Sequence, residues 1–198
     1  MNYKPEDPPG STPLDPDELS GLLPKYIRTQ GELNILEQDN ILAGKNWALQ
    51  YKKEILDESF IRNLHRRMFG EVWKWAGIYR QSQKTMGVEA SQISTQLHHL
   101  IKDTQTWIEL NSYAWNEILA RFHHRWVFIH PFPNGNGRYS RLHTELLAMR
   151  HEQKIPTWGA HKFQGSLNND SDVRGRYIEA LKQADKKTIQ PLIIFLYS

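Results

Sequence analysis

Apolar residues recur every three or four positions through most of the chain from Glu32 onward, which is the period of α-helices that bury one face. The pattern predicts helices at about 32–51, 58–68, 93–107, 116–130, 138–151, 172–184 and 190–197. Asp57 and Asn116 mark the start of two of them, where a side-chain oxygen can cap free backbone amides. Because no repeat and no second core is apparent, we expect a single all-α domain.

Two segments interrupt the helical pattern. Residues 1–24 hold six of the ten prolines, and proline fixes φ and lacks the amide hydrogen that a helix needs. We therefore expect residues 1–30 to form an extended N-terminal arm and residues 31–198 to form the domain. Residues 78–90 mix polar and apolar positions and include Gly87, which predicts a loop or small β-hairpin flap at about 80–90.

The composition narrows the classes of function. Hydrophobic residues make up 39% and charged residues 24% of the chain, as in an ordinary globular protein. The net charge is +3, and acidic residues are interleaved with basic ones, which disfavours a nucleic-acid partner. The absence of cysteine excludes disulfides and agrees with a reducing compartment. No apolar stretch is long enough to cross a membrane and no secretory leader opens the sequence, so we expect a cytoplasmic protein.

The densest candidate chemistry lies at 130–141, where one predicted helix ends, a glycine-rich turn follows and another helix begins. Gly135 and Gly137 let the backbone take left-handed angles and let a ligand approach closely. Successive amides in such a turn form an anion-binding nest, and the N-terminus of the next helix adds its positive dipole. With Arg138 and Arg141 three residues apart beside this nest, the segment suits a polyphosphate.

The same segment offers a base and a metal ligand. The imidazole of His130 can accept a proton from a hydroxyl near neutral pH. Asn134 offers an amide oxygen that could ligate a magnesium ion between phosphates. The Gly-Lys-Ser/Thr ending of a P-loop is missing. A metal site on His123, His124 and His130 is disfavoured, because the sequence places no acidic or Cys ligand beside them.

The segment resembles the signature of the Fic family, His-x-Phe-x-Asp/Glu-Gly-Asn-Gly-Arg-x-x-Arg, with one departure at Asn134, where the family usually has an acid. The similarity extends from about residue 20 to the end, through GIYR at 77–80, KTMGV at 84–88, RFHHRWVFIHPF before the turn and RYIEALKQAD at 176–185. STPLDPDE at 11–18 and TQGELN at 29–34 resemble a bacterial subgroup named mobile mystery protein B. The resemblance implies a Fic-type helical domain.

The resemblance also implies an activity, that of a protein adenylyltransferase. Such an enzyme moves AMP from ATP, with Mg²⁺, to a Ser, Thr or Tyr hydroxyl of a target protein, or of itself. His130 would be the general base, and Phe132 would anchor the loop in the core. The residues implied to bind the phosphates are Gly135, Asn136, Gly137, Arg138 and Arg141. The residues implied to clamp the target segment as an added strand are Lys84, Thr85, Met86, Gly87 and Val88.

Three finer expectations come from the same resemblance. Asn134 would hold Mg²⁺ only weakly, because a neutral amide lacks the charge of the usual acid, and AMP transfer would be slower. Glu37 matches the glutamate of a self-inhibiting helix, which would pair with Arg141 and exclude the γ-phosphate, although its flanking residues do not match and Glu32 is a rival for the position. Arg176 and Tyr177 would border an adenine pocket or, equally, pack between helices.

Two other functions stay open at this point. Relatives in the Doc branch bind the nucleotide reversed and transfer a phosphate, but they have Lys at the position of Gly137; others use different nucleotide-linked donors. The chain could instead be an interaction protein of weak catalytic power that has lost efficient metal binding at Asn134. The retained base His130 argues against that reading. The sequence predicts neither the target protein nor the oligomeric state.

Overall fold

The computed structural model describes residues 16–27, 29–84, 86–160 and 171–198. Within these residues the chain forms α-helices and a short 3₁₀ turn, Ala90–Gln92, and no strand. The helices are α1 (Pro16–Leu19), α2 (Gln30–Gln50), α3 (Glu58–Phe69), α4 (Ile93–Glu109), α5 (Trp115–Ile129), α6 (Asn136–Arg150), α7 (Ser171–Asp185) and α8 (Gln190–Leu196). The all-α prediction is therefore confirmed. Of the helices described, none is both long and apolar enough to cross a membrane.

Side-chain caps explain where two helices begin. Asp57 caps α3 as predicted, because its Oδ1 accepts hydrogen bonds from the amides of Ser59 at 2.9 Å and Phe60 at 3.2 Å. Asn116 was the predicted cap of α5, and this prediction is wrong. The helix begins at Trp115, two residues earlier than a cap at Asn116 implies, with Ala114 at the cap position. The side chain of Asn116 therefore lies inside the first turn.

The loop between α5 and α6 is anchored in the main core. Helix α5 packs against α4, α6 and α8, so it lies at the centre of the domain. Four aromatic side chains around the loop are at most 1% exposed: Phe122, Trp126, Phe132 and Tyr139. Phe132 belongs to the loop itself and stacks on the ring of His65 with centroids 3.6 Å apart. The loop is therefore fixed on its core side by packed aromatic rings.

Helix α2 lies unusually close to α3. A Cβ added at Gly44 would lie only 2.8 Å from Met68 Cγ and 2.9 Å from Met68 N, so the approach requires glycine. The amide nitrogen of Asn40 donates to the carbonyl oxygen of Arg67 at 3.0 Å. These contacts fix the rotation of α2 and point Glu37, one turn earlier, inward.

The extended arm predicted for residues 1–30 is not supported where the structure describes it. Pro16 opens the short helix α1, because a proline at the first helical position already has a suitable φ. The following residues are tied to the segment after α3: the amide of Lys74 donates to Gly21 O at 2.8 Å. The indole of Trp75 donates to Glu18 O at 3.0 Å. Residues 1–15 lie outside the described residues.

The β-hairpin predicted at 80–90 is not found in the described part of that segment. Two backbone amides that could pair within a hairpin bond instead to the last residue of α5 and to the loop after it. The amide of Arg80 donates to Pro131 O at 2.9 Å, and the amide of Val88 donates to Ile129 O at 3.4 Å. We keep the name flap for residues 80–90, of which residues 80–84 and 86–89 lie against the end of α5 without regular secondary structure.

Candidate active site

His130 ends α5 in an unusual backbone conformation, with φ 51° and ψ 58°. Left-handed angles cost a residue with a side chain about 1 kcal/mol, so neighbouring contacts must hold it there. His130 is 7% exposed, and its Nδ1 lies 3.3 Å from the carbonyl oxygen of Val127. A carbonyl partner requires the hydrogen on Nδ1, so the neutral ring carries its lone pair on Nε2.

The electrostatic environment keeps that ring neutral. The pKa of His130 is lowered to about 4, mainly by burial and also by the positive charges of Arg80 and Lys84. The carbonyl of Val127 acts in the opposite direction and is outweighed. At pH 7 the imidazole is therefore in the form that can accept a proton.

Asn136 closes the turn that follows. Its Oδ1 accepts the amide of Phe132 at 2.9 Å, and its Nδ2 donates to Phe132 O at 2.7 Å. The side chain is thus committed to the loop, and the part of Asn136 left to bind a phosphate is its backbone amide. No side chain caps the start of α6 among the described residues, which suits an anion there.

The two glycines of the turn serve different purposes. Gly135 has φ 77°, and an added Cβ would lie 2.6 Å from the ring of Phe69, so both conformation and space require glycine. Gly137 has ordinary helical angles, and an added Cβ would lie 3.5 Å from Nη1 of Arg141. The guanidinium of Arg141 therefore folds back beside Gly137, at the start of α6.

Arg138 is paired with the glutamate predicted to be inhibitory. Its Nη1 donates to Glu37 Oε2 at 2.6 Å, and the guanidinium lies 4.9 Å over the ring of Phe69. The other carboxylate oxygen, Glu37 Oε1, accepts the indole hydrogen of Trp73 at 2.7 Å. Arg141 was the expected partner of Glu37, and this prediction is wrong, because the ion pair is with Arg138. Helical side chains lean toward the N-terminus, so the first-turn Arg138 reaches back across the loop to α2.

Arg141 is oriented by helix α7 instead. It forms a side-chain hydrogen bond with the hydroxyl of Tyr177, which also lies 2.7 Å from Nε2 of the buried His123. Burial raises the pKa of Tyr177 to about 12, so its hydroxyl stays protonated. Tyr177 is 7% exposed, whereas its neighbour Arg176 is exposed. The structure thus places Tyr177 in packing between helices, and it does not bring Arg176 and Tyr177 together as an adenine pocket.

The described residues do not form a magnesium site by themselves. The amide oxygen of Asn134 accepts the amide hydrogen of Gly135 at 2.6 Å and lies 3.5 Å from Nη2 of Arg138. One neutral oxygen beside a guanidinium is a poor site for a divalent cation. No group of three or more His, Cys, Asp or Glu side chains that could hold a metal ion occurs in the described residues.

The flap residues are only partly where a target-binding role needs them. Lys84 is buried, and its Nζ pairs with Glu18 Oε2 of α1 at 2.5 Å, so its side chain is turned inward. Met86 is 43% exposed, and Val88 is half-buried. Gly87 has φ 103°, and an added Cβ would lie 2.8 Å from His130 Cβ. Thr85 lies outside the described residues.

Sequence reasoning missed His65, which supports the loop. Its Nδ1 accepts the amide hydrogen of Gly77 at 2.9 Å, and its Nε2 lies 3.2 Å from the carbonyl oxygen of Asn134. His65 is fully buried, and burial lowers its pKa to about 3. Its position four residues after the apolar Ile61 was the available signal, because that spacing places it on the buried face of α3.

A groove of about 600 Å³ lies at the opposite end of α5. It is lined by Trp115, Asn116, Gln153, Lys154, Ile193, Ile194 and Tyr197. The helix rises about 1.5 Å per residue, so Trp115 and His130 are about 20 Å apart along it. The groove therefore does not belong to the candidate active site.

Curated relatives share the sequence of this domain. The protein adenylyltransferase Fic of Aedes aegypti is 28% identical over 155 residues, which are 70% of this chain and 31% of the relative. The protein of the same name from Drosophila grimshawi is 30% identical over 173 residues, 81% of this chain and 33% of the relative. The chain thus spans about a third of the length of the curated relatives it matches.

Solved structures share the fold. The N-terminal Fic domain of a Bartonella quintana effector superposes with a TM-score of 0.68 at 18% identity, over 89% of this chain and 90% of that one. The BepC protein of Bartonella tribocorum, solved with bound AMPPNP, gives a TM-score of 0.67 at 19% identity, over 92% and 96% of the two chains.

The Fic/DOC family model matches residues 55–148, which run from just before α3 through the flap, α4, α5 and the loop to near the end of α6. The match therefore includes His130, Asn136, Arg138 and Arg141. Sequence and fold agree, and this chain carries a domain of the Fic/DOC family.

Proposed function

We propose that the protein transfers AMP from ATP to a hydroxyl of a target protein, or of itself. The observation that carries this proposal is a neutral imidazole at the edge of a helix N-terminus that has no side-chain cap and bears two arginines. The names of the curated relatives, and the AMPPNP bound to BepC, support the same chemistry. We also propose, from the resemblance of residues 11–18 and 29–34, that the chain belongs to the bacterial subgroup named mobile mystery protein B.

Each residue of the loop has a separate role in the proposed transfer of AMP. Nε2 of His130 takes the proton of the target hydroxyl, whose oxygen forms a bond to the α-phosphorus of ATP. The bond from that phosphorus to the bridging oxygen breaks, and pyrophosphate leaves. The amides of residues 136–138 and the guanidinium of Arg141 bind the phosphate oxygens, and Arg138 joins them when Glu37 releases it.

The Doc-like alternative differs at position 137, where those relatives carry Lys and this chain has Gly. A Cβ added at Gly137 would lie 3.5 Å from Nη1 of Arg141, so a side chain at this position would start beside that guanidinium. Glycine at this position leaves room for a phosphate group beside Arg141, which favours AMP transfer over phosphate transfer.

A direct test uses ATP labelled on the α- or on the γ-phosphate, incubated with the protein and a cell lysate. We expect label on protein from the α-labelled ATP only. Label from the γ-position alone would establish phosphate transfer, and label from neither would support the reading as an interaction protein.

Glu37 restrains the reaction by holding Arg138. Replacing Glu37 with Gln keeps an acceptor for Trp73 but removes the ion pair, so we expect self-modification to rise about tenfold, equivalent to about 1.4 kcal/mol. The measurement is incorporation of α-labelled AMP. Asp39→Asn, an equal charge change on the exposed face of α2, is the control. Equal rates for Glu37→Gln and the unchanged protein would refute this inhibitory role.

Asn134→Asp tests the weak metal ligand. A carboxylate has the charge that holds a hard cation, so we expect half-maximal AMP transfer at a severalfold lower magnesium concentration than in the unchanged protein. The measurement is labelled-AMP transfer across a magnesium titration. Asn116→Asp makes the same change at an exposed position remote from His130 and should have no effect. An unchanged magnesium dependence in Asn134→Asp would count against a metal role for this position.

A further inference from the structure

Arg80 is one of the largest fully buried side chains of the protein, with 2% of its surface exposed. It lies in the flap, and every hydrogen bond of its guanidinium goes to a backbone carbonyl. Nε donates to His130 O at 2.7 Å, Nη1 donates to Ser82 O at 2.9 Å, and Nη2 donates to Val88 O. One rigid planar group thus connects both ends of the flap to His130.

Burying a charged side chain costs free energy unless hydrogen bonds or an opposite charge compensate it, so the groups around Arg80 need to be identified. Among the described residues no carboxylate lies within ion-pair distance of Arg80, and Glu89 and Glu18 act on it only from farther away. Burial lowers the pKa of Arg80, but arginine starts so high that it stays charged at neutral pH. The three carbonyl oxygens are therefore what compensates the charge.

The backbone that Arg80 holds is the strained part of the site. His130 has left-handed backbone angles, and its carbonyl accepts the hydrogen bond from Nε of Arg80. The amide of Arg80 also donates to the next carbonyl, that of Pro131, at 2.9 Å. Both bonds oppose a return of this turn to ordinary helical angles, which would swing the imidazole away from the start of α6.

The flap touches the same point from the other side. A Cβ on Gly87 would lie 2.7 Å from Nη2 of Arg80 and 2.8 Å from Cβ of His130, so flap, guanidinium and histidine are in contact around one glycine. A displacement of the flap at Val88 would therefore pass through Arg80 to the carbonyl of His130.

We infer that Arg80 is a positioning residue that couples the flap to His130. A target segment bound to the flap would thereby orient the imidazole of His130. The inference rests on the proposed function, since it assumes that His130 is the base and that the flap seats the target. Arg80 does not touch the start of α6, where the phosphates bind. Its loss therefore affects turnover and target binding and leaves ATP binding intact.

The test compares Arg80→Lys with Arg62→Lys. Lysine keeps the charge but cannot donate to three carbonyls in one plane. Arg62 is a matched control, because its Nε also donates to a backbone carbonyl, Gly77 O at 3.1 Å, but from an exposed position without contact to His130. For Arg80→Lys we expect kcat to fall 10- to 100-fold and KM for the target to rise, with KM for ATP within twofold. Arg62→Lys should change none of these.

A second readout does not depend on activity. In a ¹³C-labelled histidine spectrum, with the His130 signal assigned by its absence from a His130→Asn variant, Arg80→Lys should move that signal and Arg62→Lys should not. Unchanged turnover with an unmoved His130 signal would overturn the inference, and so would an unfolded Arg80→Lys, since Arg80 would then be structural. If the unchanged protein transfers no AMP, the proposed function fails, and the histidine spectrum alone decides on Arg80.

Discussion

Replacing His130 with Asn is expected to lower AMP transfer by about 10²- to 10⁴-fold, the usual contribution of a positioned general base. Asn is preferred to Ala because it tolerates left-handed backbone angles, so the turn keeps its shape. The amide side chain cannot take up a proton at neutral pH. The measurement is the initial rate of α-labelled AMP incorporation into the target.

The control for this variant is ATP binding, which should stay within about twofold, because the proposed phosphate site is the start of α6 and not His130. A rate within tenfold of the unchanged protein would exclude His130 as the base. A large loss of ATP binding would show instead that the substitution had damaged the turn.

The free energy of unfolding is expected to fall steeply below pH 6.5, because buried neutral histidines, three of them fully buried, take up protons when the chain unfolds. His65, His123 and His143 are fully buried, and burial lowers the pKa of each from 6.5 to about 3. Their folded pKa values lie below the unfolded one, so the unfolded state binds more protons. The stability is complete above about pH 6.5 and is lost progressively as the pH falls toward 3.

The loss of unfolding free energy at a given pH follows from the lowered pKa values of these histidines. At pH 5 each of the three histidines costs about 2 kcal/mol, so together they remove about 6 kcal/mol of a total that is typically about 5–15 kcal/mol. Urea unfolding between pH 5 and 8 measures the slope. Removing one site, with His65→Gln, should reduce the slope below pH 6 by about 1.4 kcal/mol per pH unit.

The exposed pair His98 and His99 provides the matched control, because neither is buried. His98→Gln should leave the pH dependence of unfolding unchanged. A flat stability between pH 8 and 5 in the unchanged protein would contradict the burial of neutral histidines.

Much of the fold was predictable because it depends on local pattern. The apolar stripe of α3 and its cap at Asp57 are adjacent in sequence, and both were found. The turn at 130–141 was also recognisable, because glycines, arginines and a histidine at these spacings are typical of an anion-binding turn with a base. The cap predicted at Asn116 is wrong, because α5 begins without a side-chain cap, with Ala114 at the cap position.

The errors lie where distant segments meet. The flap was predicted as a hairpin from its own residues, but the amides of Arg80 and Val88 bond to the loop after α5 and to the last residue of α5. Glu37 was identified, yet its partner was misassigned, because the direction of α2 relative to α6 depends on the close approach at Gly44. The buried state of Lys84 depends on Glu18, which is 66 residues away.

The sequence by itself determined the helices, the candidate phosphate-binding turn and the candidate base, because each depends on residues within about one or two helical turns. Only the tertiary structure decided that Glu37 holds Arg138, that Tyr177 orients Arg141 and that Arg80 joins the flap to His130. Those pairings join segments between 36 and 101 residues apart, and no local pattern encodes which groups meet across such a distance.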